Sequence, residues 1–403
     1  MKKIFLSFLI LFLIQIFAPS SFASDMEGIS IHGYISQGYL KSSDNNYLAS
    51  TDEGTFEFTE LGFNVSKKFE KVRVAFQLLS RDLGEFGNNE IDLDWALGEY
   101  YYKDYLGVRI GKIKMPLGLY NQERDVDMLR VSVLLPSSVY DEGSRDIYNT
   151  VQGAEIYGLF NWPVFGELDY ELFYGSTDVN VDSIYVRGKE EAVASAVPGS
   201  TAVIESIDAE YTGGGALRWS PNLEGLRLGV SYYLAEADLE STLTNPYLPG
   251  GSATLLMHLK FKTLVPSIEY TWNNLTLAAE YSVNEIISSS TLVGMPPSPE
   301  TSVKTLGWYV QANYRFNEKF AFGIYYSEFY PDKDDKDGNT LVADYYGWQK
   351  EIVPTIRFDF SDHFIIKGEV HKVDGSAQVY IYNNPGGIEK DWTLYALKAT
   401  YNF

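Results

Sequence analysis

Thr393-Leu394-Tyr395-Ala396-Leu397-Lys398-Ala399-Thr400-Tyr401-Asn402-Phe403 alternates in character residue by residue and ends on an aromatic side chain. Thr393, Tyr395, Leu397, Ala399, Tyr401 and Phe403 share one parity, whereas Lys398, Thr400 and Asn402 fall on the other. A strand sends successive side chains to opposite faces, so one face of this segment suits hydrocarbon and the other suits water. A membrane barrel and a soluble sandwich can both end on such a strand, and the rest of the chain has to decide between them.

At the opposite end, Met1-Lys2-Lys3 precedes an apolar run over residues 4–18, interrupted by Ser7 and Gln15 and followed by Ser21-Phe22-Ala23. The run falls short of the roughly twenty residues a spanning helix needs, and a small-x-small site follows it. This pattern predicts a secretory signal peptide over residues 1–23 and a mature chain over residues 24–403. The chain contains no cysteine. An exported chain without disulfides must hold its fold by backbone hydrogen bonding and burial, and a closed barrel supplies the first in full.

Mean hydropathy is −0.15, and no apolar run after Ala23 is long enough to span as a helix. Transmembrane strands escape that test, because lipid-facing and lumen-facing residues alternate and their hydropathies cancel. The 31 Tyr, 23 Phe and 7 Trp suit two interfacial girdles better than an ordinary core. Of 32 basic and 54 acidic side chains, Lys2 and Lys3 lie in the leader, which leaves the mature chain at −24. Such a charge argues against nucleic acid as a partner. It can serve solubility, divalent-cation bridges to an anionic leaflet, or a cation-favouring pore, and the count alone does not choose among them.

From Ile29 onward, sixteen alternating segments are separated in rotation by long polar loops and short turns. In residues 72–81, Val72, Val74, Phe76 and Leu78 face one way and Arg73, Ala75, Gln77 and Arg81 the other. In residues 91–101, Ile91, Leu93, Trp95 and Leu97 are expected outward, with Asp92 and Asp94 inward. Parity slips near Lys112 and Pro266, where bulges are expected. An even strand count puts both termini on the side of the short turns. Lipid tolerates only helices or closed barrels, so the reading is all-β: a transmembrane antiparallel β-barrel of 16 strands. A lumen of that width is too large for side chains to fill and holds water.

The closing strand resembles the terminal strand by which Gram-negative outer-membrane barrels are recognised, with Tyr395, Leu397, Tyr401 and Phe403 as its assembly signal. The stretch from Val108 to Asp125, which contains Pro116-Leu117-Gly118-Leu119-Tyr120, resembles the Gram-negative porins, nearest to the branch of phosphate-selective and related uncharacterised members. The resemblance implies residence in the outer membrane among lipid and lipopolysaccharide, insertion by the barrel-assembly machinery, and a homotrimer. It also implies a third loop folded inward to narrow a channel for small hydrophilic solutes.

Carried onto this sequence, the constriction sets loop acids Asp125, Asp127, Asp141, Glu142 and Asp146 against wall arginines Arg73, Arg81 and Arg109. Opposed charges create a transverse field that orders water and favours dipolar solutes. Arg124, Arg130 and Arg145 lie in the same loop, so the alternative is pairing within the loop itself. Anion pores are lined by dense rings of Arg and Lys. Here Arg218, Arg227, Arg315, Arg357, Lys367 and Lys398 on inward positions face the acids Asp92, Asp94, Glu155, Glu167, Asp169, Glu171, Glu210, Glu280 and Glu369. The chain departs in this from a phosphate specialist, and a weakly cation-favouring or little selective diffusion pore is expected. A substrate-specific channel with Tyr233, Tyr309 and Tyr325 as a stacking track, or an adhesin-like barrel, is the competing class. The four histidines, His32, His258, His363 and His371, sit in no catalytic motif. No catalytic residue, cofactor or metal ligand is therefore expected.

Overall fold

The computed structural model describes residues 28–84, 86–181, 183–196 and 199–403. The expected signal peptide lies outside the described residues. The first half of the barrel contains β1 (Ile29–Ser42), β2 (Thr59–Phe69), β3 (Val72–Asp82), β4 (Ile91–Lys103), β5 (Leu106–Lys114), β6 (Thr150–Trp162), β7 (Gly166–Ser176) and β8 (Thr201–Ser220). The second half contains β9 (Leu226–Thr244), β10 (Ser252–Trp272), β11 (Leu275–Leu292), β12 (Thr301–Arg315), β13 (Phe320–Tyr330), β14 (Gln349–Ser361), β15 (Phe364–Gly375) and β16 (Asp391–Asn402). Each strand pairs antiparallel with its sequence neighbours, and β1 closes on β16 with Tyr34 opposite Asn402 and Ser42 opposite Leu394. Closure leaves no free edge, the condition lipid imposes on a sheet.

The two faces differ as the alternation demands. In β16, Leu397 is 53% exposed while Lys398 beside it is 1% exposed. Aromatic rings gather at the short-turn end: Phe160 stacks on Trp162 at 5.4 Å and on Tyr170 at 5.7 Å, and Phe358 meets Phe360 at 4.6 Å. Such rings, apolar in body and tolerant of headgroups at the rim, form an interfacial girdle.

Several boundaries depart from the alternation. β2 runs through Phe69, so the turn falls at Glu70, with φ 45°. β5 stops at Lys114, because Pro116 has no N–H to give the ladder. Register is continuous past Lys112 and Pro266, where bulges were expected. One bulge lies instead in β4: Leu93 faces Leu78 and Trp95 faces Gln77, which leaves Asp94 as the extra residue. It reverses parity, so Trp95 and Leu97 turn inward beside Arg73 and Gln77 and not to lipid.

The barrel is uneven in height. β8, β9, β10 and β11 have 20, 19, 21 and 18 residues, whereas β5 has 9. A spanning strand needs about 9–11 residues, so these four continue beyond the bilayer at the long-loop end. Among the described residues two α-helical segments lie in the loops: α1 (Arg145–Tyr148) and α2 (Ile184–Ala196). Val186 of α2 is buried against Ile204 and Leu239 on the inward face of the extended strands.

Candidate functional site

The connection from β5 to β6, residues 115–149, is tied to wall residues far from it in sequence. Its departure depends on Gly118, at φ +60°, where a Cβ would meet the Tyr140 hydroxyl and the Glu280 carboxylate. The Gly118 N–H donates to Ser231 Oγ at 3.0 Å and the Leu119 N–H to Glu280 Oε1 at 2.8 Å. Tyr309 donates to Glu280 Oε2 at 2.6 Å, and Tyr140 donates to the same oxygen. A single β11 carboxylate thus holds the start and the middle of the connection.

A second anchor lies on β14 and β15. Both oxygens of Glu369 accept backbone N–H groups, from Leu134 at 2.9 Å and Val133 at 2.7 Å. Lys367 donates to the carbonyls of Asp127 at 2.6 Å and Ser132 at 3.0 Å, and Arg357 to those of Met128 at 2.6 Å and Arg130 at 2.9 Å. Ser138 donates to the Trp308 carbonyl at 3.1 Å. The connection therefore reaches β9, β11, β14 and β15 through side chains on the face opposite the exposed apolar one, and β12 through the Trp308 carbonyl. Buried backbone groups need partners, and here the wall side chains supply them.

The charged residues sort into three knots. Asp127 lies 2.8 Å from Lys398 and Arg130 and 3.5 Å from Lys367, and accepts from Thr400 Oγ1 at 2.8 Å. Asp125 pairs with Arg145 at 2.5 Å and with Lys114, which also reaches Asp94 at 3.0 Å. Glu142 bridges Arg81 at 2.7 Å and Arg124 at 2.8 Å. Burial pushes all three loop carboxyls up. For Asp125 the charges of Arg145, Lys114 and Arg124 outweigh it, for Asp127 those of Lys367, Lys398 and Arg130, and for Glu142 those of Arg124, Arg81 and Arg145, so each is held well below the ordinary carboxylate range. Asp141 differs. Burial raises it, and hydrogen bonds from Ser144 at 2.8 Å and Gly143 N–H at 3.2 Å only partly oppose the rise.

Of the wall arginines singled out in the sequence, only Arg81 meets a loop acid among the described residues. Arg73 pairs with Glu99 at 2.6 Å. Arg109 pairs with Glu99 at 2.8 Å, Glu155 at 2.6 Å and Glu171 at 3.3 Å, and its guanidinium lies 4.0 Å from the Tyr157 ring. Among the described residues Asp141 and Asp146 make no ion pair, and Asp146 is exposed. Lys367, Lys398, Glu280 and Glu369 occupy the inward positions that alternation predicts, but their grip on the connection has no signal in the sequence. Their inward parity was visible, but their partners lie more than a hundred residues away.

Tyr233, Tyr309 and Tyr325 face inward but are covered. Tyr309 lies under Tyr140, Tyr233 packs on Tyr148 at 5.6 Å, and Tyr325 packs on His371 at 6.3 Å, so they offer no open stacking track. His371 is clamped between Glu351 at 2.8 Å and Glu369 at 2.9 Å. Beneath the connection a cavity of ≈ 620 Å³ remains beside β1–β5 and β7, lined in part by His32, Arg73, Arg109, Gln122, Glu123 and Glu171.

A closed sixteen-stranded barrel, apolar outside and charged within, is the scaffold of a transmembrane channel. The chain belongs to the Gram-negative porin family, whose model matches residues 10–403. It is an outer-membrane channel for small solutes. Similar solved structures include OmpF of Salmonella typhi in complex with daunomycin, at 12% identity and TM-score 0.58, over 93% of this chain and 97% of that one. Another is an anion-selective porin from Comamonas acidovorans, at 11% identity and TM-score 0.54, over 93% and 99%. A third is the channel DcaP of Acinetobacter baumannii, at 9% identity and TM-score 0.53, over 93% and 97%. At such identities they share the fold alone. No curated protein matches the chain.

Proposed function

We propose that residues 115–149 fold into the lumen and narrow a passive diffusion pore for small hydrophilic solutes with a weak preference for cations. The observation that carries this reading is the state of the wall arginines. Arg73, Arg81, Arg109 and Arg218 are all neutralised by carboxylates, with Arg218 meeting Asp169 and Glu171 at 2.9 Å. These four cations, which would draw anions into the channel, are thus already compensated, while the loop keeps Asp141 and Asp146 without an ion-pair partner among the described residues. Charged groups at a narrowing bias which ions enter. A role in catalysis finds no support in the family or in the barrel fold.

The reading extends to assembly. Residues 1–23 direct export and are removed, and Tyr395, Leu397, Tyr401 and Phe403 present the closing strand to the assembly machinery. The working unit is a homotrimer set among lipid and lipopolysaccharide. Support for the trimer is that one of the similar solved structures, in-vitro folded OmpT of Vibrio cholerae at 10% identity, is described as a trimer form.

The test is Glu142→Lys, with Glu142→Gln as its milder companion, in planar bilayers under a KCl gradient. Loss of this carboxylate leaves Arg81 and Arg124 uncompensated, so the reversal potential should move toward chloride, further for lysine than for glutamine. An unchanged reversal potential in both variants would show that this knot does not face the permeation path.

A further inference from the structure

The extended strands carry a second group of polar residues on the outer face, away from the lumen. β8 has a bulge there: Ala209 faces Ala237 and Tyr211 faces Glu236, which leaves Glu210 as the extra residue. A bulge re-aims the side chain of its extra residue. Glu210, expected in the lumen from simple alternation, is instead exposed beside the cross-strand pair His258 and Asp238. Donor atoms of Glu210, Asp238 and His258 all lie within 4.8 Å of one another, contributed by three adjacent strands.

We propose that Glu210, Asp238 and His258 form a binding site for a divalent transition cation of the zinc class. An imidazole nitrogen with two carboxylates is a donor set such cations accept, and it leaves a coordination position open to water. The imidazole separates this group from an ordinary acidic patch. Its Nδ1 lies 2.8 Å from Asp238 Oδ1 and its Nε2 3.7 Å from Glu236 Oε2, so the ring is already oriented between carboxylates. Tyr211 donates to Glu236 Oε1 at 2.8 Å and stacks on Tyr174 at 6.2 Å, which braces Glu236 beside the imidazole. Charge points the same way: among the described residues, Glu236 and Asp238 have His258 as their only ion-pair partner. An open cavity of ≈ 280 Å³, lined by Asp208, Asp238, Glu240, His258 and Ser289 with Leu256 and Met257, gives an ion access to the Asp238 and His258 side of the group. Bound metal would staple β8, β9 and β10 above the bilayer, where lipid no longer enforces their pairing.

The experiment uses the whole refolded barrel in detergent, stripped with chelator and titrated calorimetrically with zinc chloride, then with calcium chloride. One saturable zinc site per chain is expected, weakened about tenfold or more in His258→Ala and in Glu210→Gln, with calcium bound more weakly. Heat-modifiable migration on gels identifies the folded barrel in each variant. If His258→Ala does not fold, cobalt absorption of the wild-type protein reads the nitrogen ligand directly. Absent zinc binding, zinc binding untouched by both substitutions, or a cobalt spectrum typical of oxygen ligands alone would each overturn the proposal. None of these outcomes bears on conductance, so the channel reading stands or falls separately.

Discussion

Asp127 concentrates the chemistry of the interior in one side chain. It is buried and meets Lys367, Lys398 and Arg130. Removing one partner of a buried ion pair costs about 3–5 kcal/mol, because the surviving charges stay desolvated. Asp127→Asn should therefore lower the temperature of heat modification and loosen the connection, whereas Asp141→Asn should leave that temperature unchanged or raise it. The pH dependence has a definite sign. The Asp125, Asp127 and Glu142 carboxyls are depressed in the folded state, so the folded protein binds fewer protons than the unfolded chain below about pH 4. Their stabilisation is complete at neutral pH and is lost as pH falls through the depressed values. Asp141, raised by burial, works in the opposite direction. Thermal unfolding of wild type and Asp127→Asn at pH 7 and pH 3 checks this: the gap between them should shrink on acidification. At this scale the sequence showed which charges the connection carries but not their partners, since Lys367 and Lys398 come to Asp127 only through barrel closure.

Among the elements, the connection after β5 was the most legible, because Pro116 and Gly118 mark where a strand must stop and turn. Its landing place was not legible. Gly307 of β12 is part of it: a Cβ there would collide with the Ser138 carbonyl of the connection. Gly307→Val should unseat residues 136–140 while leaving the ladder between β11 and β12 paired. The expected readout is a folded, heat-modifiable barrel whose single-channel current flickers, and a steady wild-type current would remove this contact from the account. Strand number and order followed from alternation, but height did not. In β8 the extra residues Glu205 and Glu210 reset the parity, and beyond the bilayer neither face must be apolar, so the pattern that marks a strand fades there. Asp94 did the same in β4 and turned Trp95 inward. A bulge costs the sequence one residue and leaves no compositional trace.

For the whole molecule, the acidic balance of the chain and the compensated arginines of the wall lead to one expectation about ion flow. The outer face, the closing strand and the aromatic rim could be read directly, because lipid selects residues one strand at a time. The interior could not, because its ion pairs tie the connection to strands distant in sequence, as Asp127 to Lys367 and Lys398, and between neighbouring strands they depend on register. The most direct test is the single-channel conductance and reversal potential of the refolded wild-type protein in a planar bilayer under a KCl gradient. Ohmic channels with a modest preference for potassium are expected. Strong chloride preference, or no conductance from a folded and heat-modifiable barrel, would contradict this.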